Sequence, residues 1–294
     1  MTVGAFVSVA VVAPSMILSP WAADTQDAFR GELVGAGVIS TEEGGQVFPA
    51  VAPDGSALYF SQVKDRNWGD QTIMVAERRG DGWATPHDVA FSGSAASDRA
   101  PRLSVDGNKL FFSSNRPLPG TQTQDFNLWV VERNAGGHWS EPSPLSINTD
   151  AVEMHSAVTR DGTLYFASSG RPDGLGRSDL YRSRYRDGRF ATAEHLGETI
   201  NSELSQPDVY VSPDGDWMIL ATTDHPDGLG GDDLYVSYWR DGAWIAPRNL
   251  GPAVNTPEYE YGPTVSGDGE YLYFTSHRRA AGDIYRIRLS EVLN

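Results

Sequence analysis

The sequence predicts an all-β fold built as a ring of five four-stranded antiparallel blades, the last closed by the N-terminal strand. Three observations carry that expectation. An Asp-Gly pair followed by an apolar stretch recurs five times, at Asp54, Asp106, Asp161, Asp214 and Asp268. The near-equal spacing of those residues marks a repeat architecture. No window has useful helical periodicity, and Trp 8, Tyr 12 and Phe 11 favour sheet. Two periods read almost alike over a long stretch: DLYRSRYRDGRFATAEHLGETIN from Asp179 and DLYVSYWRDGAWIAPRNLGPAVN from Asp233.

Within a period the strands follow one another. A short strand such as PAVA at Pro49 leads to the Asp-Gly, a strong tight-turn signal. The second strand is LYF at Leu58, Leu164 or Leu272. A polar loop leads to the third, for example LWVVE at Leu128 or LYVSYW at Leu234. After another turn, usually glycine-bearing, the outer strand carries Trp83, Trp139, Phe190 or Trp244. Four-stranded units repeated in this way make a β-propeller, one unit per blade. Neighbouring blades cover both faces of each sheet, so the second and third strands are almost continuously apolar. The outer aromatics belong to blade-to-blade packing. The fifth copy ends at IYRIRLSEVLN without an outer strand. An unpaired edge is a liability, so DAFRGELVGAGVIS from Asp27 is expected to supply it, with Phe29 in the role of Trp244.

The chain has 294 residues and formal net charge -16. An acidic surface of that size repels nucleic acid and anionic lipid. Cysteine is absent, which removes disulfides, thiolate metal sites and a cysteine nucleophile. Residues 1–23, MTVGAFVSVAVVAPSMILSPWAA, are uncharged and interrupted by Pro14. They lack a basic start but read as a signal peptide ending near Ala23. The expectation is one propeller domain over residues 24–294, periplasmic or extracellular, monomeric, with no membrane span in the mature chain.

The recurring Asp-Gly-x-x-Leu-Tyr-Phe string is accompanied by SSNR at Ser113, SHR at Ser276, SDLY at Ser178 and GDIY at Gly282. With WSEPSPL at Trp139 and WIAPRNLG at Trp244, this pattern resembles the WD40-like repeat of TolB-type propellers. The resemblance spans essentially everything after the leader. It implies a propeller drawn from a set of ligand-binding, scaffold and enzyme-associated modules. No stretch reads as the extra N-terminal domain of TolB itself.

Candidate site residues come from indexing each repeat on its Asp-Gly. Eight positions before it stand Gln46, Asp98, Glu153, Gln206 and Glu260. Ten positions after it stand Lys64, Arg116, Arg171, Asp224 and Arg278. Both sets should face the end of the ring where the loops between strands 2 and 3 gather. One reading pairs the acids with Arg116, Arg171 and Arg278 as repeated internal ties. The other places them around a ligand. The polar exceptions to the repeat along the inner strands are Asp98, Arg99, Arg102, Glu153, His155, Asp208, Tyr210 and Glu260. Trp68, in KDRNWGDQ, and Tyr259 and Tyr261, in PEYEYGP, add aromatic groups on which a sugar ring could stack.

The PDGLG loops at Pro172 and Pro226 are too sparse in oxygen ligands for a calcium loop of the EF-hand type. Tight turns in which Asp179 and Asp233 bond backbone are expected instead. His225 reads as a solvated loop residue. No metal and no cofactor is expected. The leading expectation is an exported, non-catalytic binding or scaffold propeller that recognises a protein, envelope or glycan ligand on the axis. The alternative is a carbohydrate-active enzyme using Asp98, Glu153 and Glu260, with His155.

Overall fold

A computed structural model describes residues 28–293 except 66, 93–95, 123 and 280. The expected signal peptide lies outside the described residues. Among the described residues the regular elements are all strands apart from one 3-10 turn, Leu289–Glu291.

Five antiparallel sheets form the blades, and in the first four the strands run from inner to outer in chain order. The inner strands are Gly45–Val51, Asp98–Leu103, Val152–Val158, Ser205–Val211 and Glu260–Val265. Blade five takes its outer strand from Glu32–Leu33, which pairs with Asp283–Arg288 through Leu33 opposite Tyr285. The ring is therefore closed by the N-terminal segment, as the truncated fifth copy requires. Phe29 lies against Phe274 and Tyr285, with ring centroids 6.2 and 5.3 Å away.

The repeated sequence sets the local structure. In the first turn Gly55 has φ 71°, a left-handed conformation that glycine adopts without strain. The Asp54 carboxylate closes that turn by accepting from the Ser56 amide at 3.0 Å. Leu58, Tyr59 and Phe60 are all buried because both faces of the strand are covered. The outer aromatics lock consecutive blades. Trp139 of blade two meets Tyr59 of blade one, and Trp244 of blade four meets Tyr165 of blade three, both edge-on.

The inner strands share a feature that the sequence did not disclose. Each has a β-bulge near one repeat position: it falls at Phe48, Ala100, His155 and Gly262 in four blades, and just ahead of the paired residue Asp208 in blade four. Phe48, Ala100 and His155 are left-handed there, with φ of 55°, 51° and 51°. Such non-glycine backbones are strained by roughly 1–3 kcal/mol each and need support. A hydroxyl of the preceding blade supplies it. Thr275 Oγ1 accepts from Phe48 N at 3.0 Å, Ser61 Oγ from Ala100 N at 2.9 Å and Ser113 Oγ from His155 N at 3.1 Å. Blades three and four carry Ala167 and Ala221 at the hydroxyl position. Correspondingly, Asp208 is not left-handed, and its own carboxylate takes the Gly262 N–H at 2.7 Å.

Candidate functional site

The five strands leave the axis open at both mouths. At the mouth bearing the loops between strands 2 and 3, a cavity of about 300 Å³ is lined by Trp68, Arg99, His155, Asp208 and Tyr261 among others. These five were singled out from sequence as repeat-breaking or exposed aromatic residues. Phe48, Gln71, Asp232, Tyr259 and His277 complete most of the wall.

The cavity has an aromatic rim and a polar floor. Trp68 stacks on His277 with centroids 5.3 Å apart, and Tyr259 meets the same imidazole at 5.7 Å. Trp68 and Tyr259 are 40% and 47% exposed, so the rim offers open ring surface to solvent. The Tyr261 hydroxyl lies 3.0 Å from His277 Nε2. Deeper, the Phe48 ring lies between His155 and Tyr261, at 4.7 and 5.0 Å.

The tautomer of His155 follows from its partner. Nδ1 lies 2.6 Å from the Pro207 carbonyl oxygen, which can only accept. Nδ1 is therefore the protonated nitrogen. Burial lowers the pKa of the ring, outweighing the attraction of Asp208, so the neutral form dominates and Nε2 carries a lone pair. That Nε2 is buried and has no protein partner. Arg99 Nε is likewise buried and unpartnered. Its guanidinium lies over the Phe126 ring at 3.8 Å, and Nη2 donates to the Trp68 carbonyl at 3.3 Å. Burial pulls its pKa down to about 10, which leaves it charged at neutral pH. Burial raises Asp208 and Asp232, and each carboxylate is already engaged. Asp208 accepts from Gly262 N and Val209 N, and Asp232 accepts from Thr223 Oγ1 at 2.6 Å.

The acids Asp98, Glu153 and Glu260 do not line this cavity. Asp98 receives both oxygens' bonds from Arg116 Nη2, at 2.7 and 2.8 Å. Glu153 pairs with Arg171 at 2.8 Å and accepts from the Thr149 hydroxyl and amide. Glu260 departs from the tie scheme. Ser276 Oγ, Thr256 Oγ1 and Thr256 N fill its oxygens at 2.6–2.7 Å. Burial lifts its pKa to about 7. Arg278 does not pair with it; this exposed guanidinium lies over the Phe29 ring at 4.0 Å instead. The N-terminal segment thus draws away the cation that the repeat would have given to Glu260. Gln46 and Gln206 occupy the same position and accept from Thr41 N and Ser202 N, so the site is a recurrent loop tie.

Arg102 and Tyr210 lie at the other mouth of the axis, lining a separate cavity. The division follows strand position: residues six and seven places before the Asp-Gly face one mouth, and those four places before it face the other. Gln71 and Asp232 occupy one repeat position, two before the first apolar residue of the third strand, and His277 lies nine after Asp268. Indexing on those two positions would have found them. In the PDGLG turns Asp179 accepts from Leu175 N at 2.6 Å, and Asp233 accepts from Leu229 N and Gly230 N. His225 is half-buried, with Nδ1 beside Asp227 Oδ1 and its ring 5.0 Å from that of Tyr235. Among the described residues no cluster of three or more His, Asp or Glu is placed to hold a metal ion. No described helix is long and apolar enough to cross a membrane.

The fold and the axial cavity define a five-bladed β-propeller with a pocket on the ring axis. No protein-family model matches the chain, and no curated protein matches it. Solved structures share the fold at low identity. A structure described as a glycoside hydrolase superposes with TM-score 0.60 and 11% identity, covering 88% of this chain and 92% of that one. A GH43 endo-arabinanase from Bacillus licheniformis gives TM-score 0.52 and 11% identity over 85% and 96% of the two chains. A puromycin-hydrolyzing peptidase from Mycobacterium tuberculosis gives 0.46 and 16%. This chain covers 79% of itself there but spans only 34% of that peptidase.

Proposed function

We propose that the chain is an exported, non-catalytic binding propeller, with repeats of the WD40-like TolB type, and that its loop-bearing axial mouth takes a glycan. One observation carries the reading: exposed Trp68 and Tyr259 stand over a floor on which His155 Nε2 and Arg99 Nε have no protein partner. A sugar ring offers a C–H face to aromatic side chains and hydroxyls to the groups below. Concave sites with an apolar wall and a few convergent polar groups are the usual form of small-ligand pockets. The locked state of Asp98 and Glu153 and the sealing of Glu260 argue against catalysis through those three.

A second reading, a glycoside hydrolase or lyase, draws support from Asp208 and Asp232, two carboxylates on one cavity whose charges oppose each other. Hydrolysis needs one acid free to donate and another free to attack or activate water, whereas both here are held by hydrogen bonds. The test is calorimetric titration of an oligosaccharide panel, run beside an assay for released reducing ends. Binding without turnover, weakened about tenfold by Trp68→Ala, is the expected result. Turnover abolished by Asp208→Asn or Asp232→Asn would establish the enzyme instead. Absence of any saccharide binding would remove the glycan reading.

A further inference from the structure

The opposite mouth of the axis holds a cavity of about 330 Å³, formed where the inner strands run into their Asp-Gly turns. Its wall mixes polar groups with an apolar set, Val51, Val105, Val158, Val211 and Trp217. Its charged lining residues are Arg102 and Arg160, and no Asp or Glu lines it. That is an unusual lining in a chain with Asp+Glu 39 and Lys+Arg 23.

Arg102 is the central group. It is 7% exposed. Nε donates to the Ser156 carbonyl of the next blade at 3.2 Å, while Nη1 is buried with no partner. Arg102 forms no ion pair among the described residues, whereas Arg160 pairs with Asp214 at the exposed edge. The carboxylate that acts on Arg102 from a distance is Asp208. Its two oxygens already accept from Gly262 N and Val209 N, and it lines the other cavity. The same repeat position holds Ala50, Ala157, Tyr210 and Thr264 in the other blades, so the charge is particular to blade two. A buried guanidinium without a close counter-charge is unfavourable unless something anionic meets it.

We propose that this mouth is a second ligand site, for a small organic acid with a single carboxylate on an apolar body. The carboxylate meets the Arg102 guanidinium, and the body lies among the valines and Trp217. Guanidinium and carboxylate form strong charge-assisted bonds, and the cavity volume suits one compact molecule. The site is independent of the glycan reading, because the two cavities share none of the residues named for either.

Benzoate and its neutral counterpart benzamide test the proposal on the full chain by calorimetric titration. Benzoate should bind and benzamide should bind at least about tenfold more weakly. Arg102→Met should erase that difference. Should that variant fail to fold, tryptophan indole N–H spectra of the unmodified protein still decide. Benzoate should move the Trp217 signal, assigned through Trp217→Phe, and leave Trp68 in place. Equal binding of the two compounds, movement of Trp68 alone, or no response to benzoate would overturn the assignment.

Discussion

Glu260 shows how one missing partner changes a residue. Its oxygens are filled by hydroxyls and an amide rather than by a guanidinium, and burial raises its pKa to about 7. A carboxyl raised in the folded state favours folding most when it is protonated in both states. Its contribution is full below the unfolded value near 4.5 and is lost as pH rises through about 7. Asp233, raised to about 6, acts in the same direction. His155, lowered by burial, acts oppositely, since protonation of the unfolded chain weakens folding as pH falls below 6.5. Glu260→Gln should therefore flatten the decline in stability between about pH 5 and 8, by an amount on the order of 3 kcal/mol. Denaturant titrations at several pH values measure it, and an unchanged slope would place the pH dependence elsewhere.

Asp208 is a second residue whose role departs from its repeat. It stands in for the hydroxyl that Ala221 lacks. Asp208→Ala should destabilise the ring by about 1–3 kcal/mol through the orphaned Gly262 N–H. Ala221→Ser added to that variant should restore part of the loss in chemical unfolding. If it restores nothing, the loss belongs to the charge relation with Arg102.

At the scale of elements, the ties between inner strands and loops carry the second prediction of packing energy. Glu153 is fully buried and Arg171 partly so. Glu153→Met strands a partly buried guanidinium and should cost about 3–5 kcal/mol, while Glu153→Met with Arg171→Met should cost much less. Equal costs would mean that Arg171 finds adequate solvation alone. The elements themselves were readable in the sequence because Asp-Gly turns and apolar triplets are local signals. The inner-strand bulge was not, since Phe48, Ala100 and His155 carry no local preference for left-handed backbone. What holds them is a hydroxyl on the preceding blade, a long-range relation that periodicity does not record. The sequence grouped Arg99, His155, Arg102 and Tyr210 together, whereas strand position puts the first two on one cavity and the last two on another. Arg278 was misread as a tie because the competing ring, Phe29, comes from the far end of the chain.

For the whole molecule the dominant global term is charge. A formal net charge of -16 makes the folded ring repel itself. Raising ionic strength from about 0.01 to about 0.15 M shortens the screening length from about 30 to about 8 Å, and Tm should rise. A fall in Tm would mean that paired charges such as Asp98 and Arg116 outweigh the net repulsion.

The strand Glu32–Leu33 is made four blades ahead of its partner Asp283–Arg288. On a ribosome the first strand must wait, unmatched, through the synthesis of four blades. The Glu32 carboxylate meets Arg286 across 254 positions of chain. A nascent chain is consequently an open arc, and the ring exists only once Asp283–Arg288 has been made. Such an arc stays threadable for as long as it is growing, and the final pairing acts as the clasp that ends that period.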